Sequence, residues 1–494
     1  MSDQDPDSDY NITDPIFAWA ERAPHVVAII EQGRVISYAA LCNAVRHAMQ
    51  RFREAGWKSG DVIGIAIRGE TSLHLVVSLA LARSGLTQVT LPSSELASRR
   101  LSVAQTLGVR AIVTNHESDR LVSVPRLVLE ANWLSAACAA AVSPDIRGSG
   151  GDKAWIVIQT SGTTGTSKNI DISHRTNRLR ARRYKKVLSC LPGERTMSMV
   201  GLQFWAGIFA AVRCLSDGGA IVALPETFSA AQLLHWIDLH HVTYLSCAPV
   251  HIHWLLQELQ SDAPILPGLR ILQSVSAALV PSLLQDAKMR LSLNIFIHYG
   301  SNETGVMAVA VPEVLDRFPD SVGQILPGVE FEIVDQENHP VSAGTVGRVR
   351  VRGGGMQYSR DEATGRDGWH YPGDMAMQNE AGIVFLKGRY DEIMNFEGLL
   401  ISPTEIESAL AQHPLVAEVV AFPLSSPQHQ DVPAVAVVLK QPVSMDELNR
   451  YCVEHLGIRA PKIFIVVDQM PRNAMGKVLR PRLTQIALER LSAK

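Results

Sequence analysis

Gln159-Thr-Ser-Gly-Thr-Thr-Gly-Thr-Ser-Lys168 crowds hydroxyl side chains and two glycines ahead of one lysine, directly after the apolar stretch Trp155–Ile158. Glycines let backbone N–H groups approach a polyphosphate, hydroxyls donate hydrogen bonds, and the ammonium supplies a mobile positive charge. The spacing is not that of a Walker A loop, which needs four residues between its glycines and then Gly-Lys-Ser/Thr. Here Gly162 and Gly165 stand three apart, and Lys168 follows three residues after the second. A flexible surface linker has the same composition, so the run alone leaves both readings open.

Outward from it, short apolar runs alternate with amphipathic stretches. Val62–Ile67, Ala111–Thr114, Ile156–Ile158 and Ala220–Leu224 read as buried strands, and Ser72–Arg83 as a helix. Strands alternating with helices predict α/β layers with parallel pairing. The first dozen residues read as disordered. After about residue 320, Phe331–Asp335 and Val346–Val351 predict antiparallel strands of a small β-barrel-like part. From about residue 392 the chain carries its own α+β pattern: helix Thr404–Gln412, strands Val416–Phe422 and Ala434–Leu439, helix Ser444–His455 and strand Ile463–Val467. The expected division is a large α/β N-terminal domain, 1–388, with several subdomains, and a small mobile α+β C-terminal domain, 389–494.

A length of 494 residues exceeds what one hydrophobic core serves, and 46% hydrophobic with 19% charged residues describes a globular protein. With 46 Lys+Arg against 49 Asp+Glu the net charge is −3, which gives no global reason to expect nucleic acid or an anionic membrane as partner. The six cysteines are scattered without a C-x-x-C pair, so neither a zinc site nor a disulfide framework is indicated. The acidic start is the opposite of a signal peptide, and no apolar run reaches membrane-spanning length. A cytoplasmic location is expected; oligomeric state is not encoded legibly.

Four further patches carry residues that nucleotide chemistry uses: His298-Tyr-Gly-Ser-Asn-Glu-Thr-Gly305, Gly368-Trp-His-Tyr-Pro-Gly-Asp374, Gly388-Arg-Tyr-Asp391 and Asn473-Ala-Met-Gly-Lys-Val-Leu-Arg480. Each alone has a plain structural explanation as a turn, a capped loop or a surface lysine. Together and in this order, over roughly residues 15 to 482, they resemble the superfamily of adenylate-forming enzymes. That superfamily includes acyl-CoA synthetases, the adenylation domains of nonribosomal peptide synthetases and firefly-type luciferases. The family's Thr-Ser-Gly-Thr-Thr-Gly-x-Pro-Lys-Gly corresponds to Thr160–Asn169, and its Tyr-Gly-x-Thr-Glu to Tyr299–Glu303. Its Thr-Gly-Asp corresponds to Pro372-Gly373-Asp374, its Gly-Arg-x-Asp to Gly388–Asp391, and its terminal Gly-Lys to Gly476-Lys477.

The resemblance implies that a carboxylate attacks the α-phosphate of ATP, and that a thiol, usually of coenzyme A, then displaces AMP. Such chemistry rests on positioning and charge neutralisation. By the same resemblance Thr160, Ser161, Gly162, Thr163, Thr164, Gly165 and Lys168 hold phosphates. Glu303 ligates Mg2+, as a hard cation takes carboxylate oxygen. Asn302 contacts the α-phosphate, Asp374 accepts the ribose hydroxyls, and Arg389 assists at the ribose or the phosphate. Ser276, Ala277 and Ala278 sandwich the adenine with His298, Tyr299 and the adjoining Gly300. Lys477 bridges the acyl carboxylate and the α-phosphate, and Asp391 is the hinge of the small domain. Three departures stand out: Thr166-Ser167 and Asn169 flank Lys168 where Pro and Gly are usual, Pro372 removes a hydroxyl, and Arg348 replaces a glutamate.

Met199–Gly207 holds no acidic residue of the kind that amino-acid-activating relatives use, so an aryl or acyl acid is expected, with Gln203, Phe204, Trp205 and His251 as pocket candidates. Ordinary core packing serves Phe204 and Trp205 equally well. His251 and His253, at i and i+2 on a helix, point apart and do not make a metal pair. Gly398–Glu407 is similar to the CoA-ligase version of its segment, and little chain follows Lys477 to carry a fused carrier domain. Arg175, Arg178, Arg180, Arg182, Arg183, Lys185 and Lys186 crowd a predicted helix; they read as a solvated face, or else as a landing site for the 3′-phosphate of coenzyme A or for an acidic carrier protein. The reading is a stand-alone ATP- and Mg2+-dependent acid–CoA ligase. Transfer to an amine or a carrier-protein thiol stays open, as does a degenerate nucleotide-binding protein without turnover.

Overall fold

The computed structural model describes all of the chain except residues 1–7, 70, 93–94, 117–123, 131, 142–144, 161–167, 226, 259–263, 358–367, 397–398, 427–429, 474–475 and 493–494. It divides into two compact units: Met1–Pro319 with Leu326–Val329 and Gly353–Asp367, and Asp320–Ile325 with Glu330–Arg352 and Gly368–Lys494.

In the first unit, a six-stranded sheet runs in the order Arg126–Val128, Ala111–Thr114, Val62–Ala66, Thr87–Thr90, Ala154–Thr160, Lys168–Ser173 among the described residues. All its pairings are parallel but the last. That last strand, not expected from the sequence, returns antiparallel, with Thr160 facing Lys168 across the ladder. The residues between them, which include Ser161–Gly165, lie outside the described residues, so the phosphate-loop reading has only its two flanks in view. A second set of strands runs in the order Gly305–Ala310, Ile295–Ser301, Ile271–Ser274, Tyr244–Cys247, Arg195–Ser198, Ala220–Val222, Val27–Glu31, Arg34–Ser37.

Helix Thr71–Arg83 is buried along its length from Ser72 onward, as its all-round apolar sequence requires. It shares one core with Ile63 and Ile65 of the first sheet, Ile29 and Ile221 of the second, and Ile208 and Leu215 of helix Trp205–Ser216. The chain start also joins this unit, correcting the expected disorder for residues 8–12. Asn11 and Ile12 are buried; Asn11 Nδ2 donates to the Ala82 carbonyl at 2.9 Å, and the Ile12 N–H donates to His174 Nδ1 at 3.1 Å. These buried polar bonds are invisible to a hydrophobic pattern.

In the second unit, Glu330–Val334, Gly347–Arg352, Asp374–Gln378, Ile383–Arg389 and Gly323–Ile325 form an antiparallel ladder in that order. Among the described residues no pairing joins the two ends of this ladder. The remainder is an α+β layer. Val416–Ser426 pairs antiparallel with Gln430–Leu439, which pairs parallel with Ile463–Val466. Period-two alternation sends Val435 and Val437 to a core with Ile406, Leu448 and Cys452, and Ala434 and Ala436 to a core with Leu483 and Ala487.

Candidate active site

The hairpin between strands Ile295–Ser301 and Gly305–Ala310 presents Asn302 and Glu303 at its tip, both half-buried. The tip is closed by reciprocal bonds: the Ser301 N–H donates to Thr304 Oγ1 at 3.1 Å, and the Thr304 N–H donates to Ser301 Oγ at 3.3 Å. A Cβ at Gly300 would lie 2.1 Å from the Gly305 carbonyl, so only glycine permits this closure. The Glu303 carbonyl accepts from Arg180 Nη2 at 2.6 Å and from the Gln357 N–H at 2.8 Å. Its carboxylate makes no hydrogen bond or ion pair among the described residues. Half-buried, with free oxygen lone pairs, it fits the donor chemistry of a hard divalent cation such as Mg2+.

His298 and Tyr299 are neighbours on one strand, so their side chains leave opposite faces and cannot both cover one face of an adenine. His298 is committed to an interior network: Gln273 Nε2 donates to its Nδ1 at 2.6 Å, the Tyr184 hydroxyl lies 3.2 Å from Nε2, and Tyr244 bonds to both Tyr184 and Gln273. Burial, with the nearby Arg213 charge, pushes its pKa down to about 3. Tyr299 is buried on the opposite face of the strand. Ser276, Ala277 and Ala278 are exposed on the turn after strand Ile271–Ser274, with Ser276 at φ +76°, a left-handed backbone uncommon for serine.

Of the pocket candidates, Gln203 lines a cavity of about 420 Å³ with Ile67, Arg68, His74 and Thr90, at the carboxyl ends of strands Val62–Ala66 and Thr87–Thr90. Trp205 is spent on the core, stacked on Phe209 with ring centroids 5.1 Å apart and tilted to Trp155 at 6.4 Å. Phe204 is half-buried before the helix that Trp205 starts. His251 Nδ1 accepts the Ala248 N–H at 3.1 Å, a local cap that places its proton on Nε2.

In the second unit, Asp374 and Arg389 face each other across a ladder. Arg389 Nη1 donates to the Pro372 carbonyl at 2.9 Å and lies 3.4 Å from Asp374 Oδ1. Gly373, at φ +84°, admits the guanidinium, because a Cβ there would lie 2.7 Å from Nη2. The contact to Pro372 is made by its backbone carbonyl and does not replace the hydroxyl that the resemblance places there. Arg348, the other departure, bonds Asn338 Oδ1 at 3.0 Å and lies over the rings of Tyr371 and Tyr390. Asp391 sits in the one-turn helix Tyr390–Glu392. Lys477 is exposed in a turn, its N–H donating to Asn473 Oδ1 at 2.9 Å. Its ammonium has no partner among the described residues.

The cation-rich helix, His174–Lys185, corrects the sequence reading. Arg182, Lys185 and Lys186 are exposed, but Arg180 and Arg183 are buried, bonded to the carbonyls of Gly355 and Gly354. Arg182 and Arg183 therefore share no landing surface. Arg180, Thr304 and Gln357 are the residues that sequence reasoning missed. No sequence signal singles out Arg180, because the buried stripe of its helix is polar and charged like the exposed face. Among the described residues there is no cluster of three or more His, Cys, Asp or Glu suited to a metal, and no helix is long and apolar enough to cross a membrane.

The chain belongs to the AMP-binding enzyme family, whose profile matches residues 16–357, while the AMP-binding enzyme C-terminal domain matches residues 405–477. It is an adenylate-forming enzyme. It is 26% identical over 489 residues to sulfoacetate–CoA ligase of Cupriavidus necator, covering 92% of this chain and 93% of that one. Its fold matches o-succinylbenzoate CoA synthetase from Bacillus subtilis in complex with the acyl-adenylate intermediate OSB-AMP, with a TM-score of 0.84, 23% identity and coverage of 95% and 97%. It also matches the amide bond synthetase of Marinactinospora thermotolerans, with a TM-score of 0.83, 23% identity and coverage of 96% and 99%.

Proposed function

We propose that this enzyme activates a carboxylic acid with ATP and transfers the acyl group to coenzyme A. The observation that carries the reading is Glu303: a carboxylate that accepts no hydrogen bond among the described residues and feels the charge of Arg180, on a hairpin tip locked from both sides. It would hold Mg2+, which supplies charge neutralisation for the polyphosphate. The substrate carboxylate attacks the α-phosphorus and pyrophosphate leaves; the thiol then attacks the acyl carbon and AMP leaves. Asp374, oriented by Arg389, accepts the ribose hydroxyls. Tyr299 and the Ser276–Ala278 turn receive the adenine, and Asn302 donates to the α-phosphate. Thr160–Gly165 and Lys168 receive the β- and γ-phosphates. Lys477 bridges acyl carboxylate and α-phosphate, from a C-terminal part, 389–494, that turns about Asp391 between half-reactions.

The acid carries an aryl or acyl group rather than an α-amino group, since Met199–Gly207 offers no carboxylate to pair an ammonium. Sulfoacetate, named for the Cupriavidus relative, is likewise not an amino acid. Coenzyme A as acceptor is supported by that relative, while the likeness to an amide bond synthetase favours an amine as the second reading. ATP–pyrophosphate exchange across a panel of acids should give signal with aryl or acyl acids and none with amino acids. Product mass with coenzyme A, an amine or a carrier protein then decides the acceptor. Absence of exchange with every acid would sink the ligase reading.

A further inference from the structure

Arg180 is 3% exposed, and the charge of the Glu303 carboxylate opposes the effect of its burial without a direct ion-pair contact among the described residues. Its guanidinium is held by carbonyl oxygens instead: Nε donates to Gly355 at 2.7 Å and Nη2 to Glu303 at 2.6 Å, while Nη1 is buried without a hydrogen-bond partner. A second tether reaches the same carbonyl from the same helix. Thr176 Oγ1 donates to Gln357 Oε1 at 3.1 Å, and the Gln357 N–H donates to the Glu303 carbonyl at 2.8 Å. Gly305, at φ +67°, clears the way, for a Cβ there would stand 2.9 Å from Arg180 Cδ and 3.0 Å from Nε. The Arg180 charge is balanced by the Glu303 carboxylate and by the Trp205 ring 5.3 Å beneath the guanidinium, so the buried cation is matched to the residue whose carbonyl it holds. A lysine could not span two carbonyls at the fixed angle of a guanidinium fork.

We propose that Arg180 is a positioning residue for the Glu303 carboxylate: by pinning the Glu303 carbonyl to helix His174–Lys185 and to Gly355, it fixes the direction in which the carboxylate meets Mg2+. The inference rests on the reading of Glu303 as the metal ligand. Residues that orient a ligand from behind typically change metal affinity by about 10–100-fold when lost.

The test compares Arg180→Met, Arg180→Lys and Gly305→Ala with Glu303→Gln. Three readouts are used: half-saturating Mg2+ in ATP–pyrophosphate exchange, Mn2+ bound in the presence of ATP by electron paramagnetic resonance, and thiolysis of supplied acyl-adenylate by coenzyme A. Arg180→Met and Gly305→Ala should raise half-saturating Mg2+ and weaken Mn2+ binding by about tenfold or more. Thiolysis, which involves no polyphosphate, should stay within about twofold, and Arg180→Lys should recover part of the loss. The double variant Arg180→Met/Glu303→Gln should be no worse in metal affinity than Glu303→Gln alone. Equal losses in both half-reactions, or an unchanged metal requirement, would overturn the proposal. Should Glu303→Gln itself leave the metal requirement unchanged, the failure lies with the Glu303 reading and removes the inference with it. If Arg180→Met does not fold, Arg180→Lys read against wild type decides: a loss confined to metal affinity supports the proposal, and an unchanged metal affinity overturns it.

Discussion

Lys477 keeps its ammonium in solvent while its backbone is fastened by Asn473 and followed by Arg480, which is tied to Glu407 at 2.9 Å and Glu392 at 3.3 Å. A lysine held at its root and free at its tip can be removed without disturbing the fold. Lys477→Ala should therefore lower adenylation by about 100-fold or more, since an oriented charge at a reacting phosphate is worth several kcal/mol. Thioesterification of supplied acyl-adenylate should stay near wild type; loss of both half-reactions together would remove the assigned role. Asp374 and Lys477 were legible because each stands at a turn where glycine marks the backbone, and their chemistry needs only their own side chain. Arg180 was not legible for the converse reason. Its contribution is a hydrogen bond to a backbone carbonyl more than a hundred positions away, at Glu303, and one cation among seven in a run carries no such mark.

Helix His174–Lys185 shows what is lost between a residue and an element. Its buried positions, His174, Thr176, Asn177, Arg180, Arg183 and Tyr184, follow the three- and four-residue spacing of any packed helix. The stripe is polar and charged, so hydrophobic periodicity finds nothing there, and composition alone suggests a solvated face. The two sides of the helix should respond oppositely to charge reversal. Arg182→Glu should shift stability by no more than about 0.5 kcal/mol, as exposed substitutions do. Arg183→Glu should cost about 3 kcal/mol or more, because it sets a buried carboxylate against the Gly354 carbonyl. Urea unfolding measures both, and equal effects would show that Arg183 is not buried in solution. The strand Lys168–Ser173 was missed for a related reason. It follows directly on a loop-like run and is interrupted by Asn169 and Asp171, yet Ile170 and Ile172 alternate correctly toward the core. Strand existence was readable in Val62–Ala66 and Ala111–Thr114, where uninterrupted apolar runs mark burial on both faces.

At the scale of the whole first unit, three neutral histidines set an acid limit. His74, His174 and His298 are at most 9% exposed. Burial depresses their pKa values from 6.5 to about 4, 4 and 3 respectively, with Asp14 opposing the shift at His174 and Arg213 adding to it at His298. A depressed folded pKa means that the unfolded chain takes up the proton first, so stability is fully present above pH 6.5 and falls as pH drops toward the folded values. At pH 5 each histidine withdraws about 2 kcal/mol by this linkage, or about 6 kcal/mol together. That is comparable to the net stability of an ordinary domain, about 5–15 kcal/mol. His174 makes the cost concrete, because its Nδ1 accepts the Ile12 N–H and cannot do so once protonated. Urea titration followed by the fluorescence of Trp155 and Trp205, both in this unit's core, should show a large loss of stability between pH 7.5 and pH 5. His298→Gln, which retains a donor and an acceptor beside Gln273, should reduce that pH-dependent loss by about 2 kcal/mol even if it lowers stability at pH 7.5. Equal midpoints at the two pH values would mean that these histidines take up protons in the folded enzyme, and that the interior described around Tyr184, Tyr244 and Gln273 is open to water.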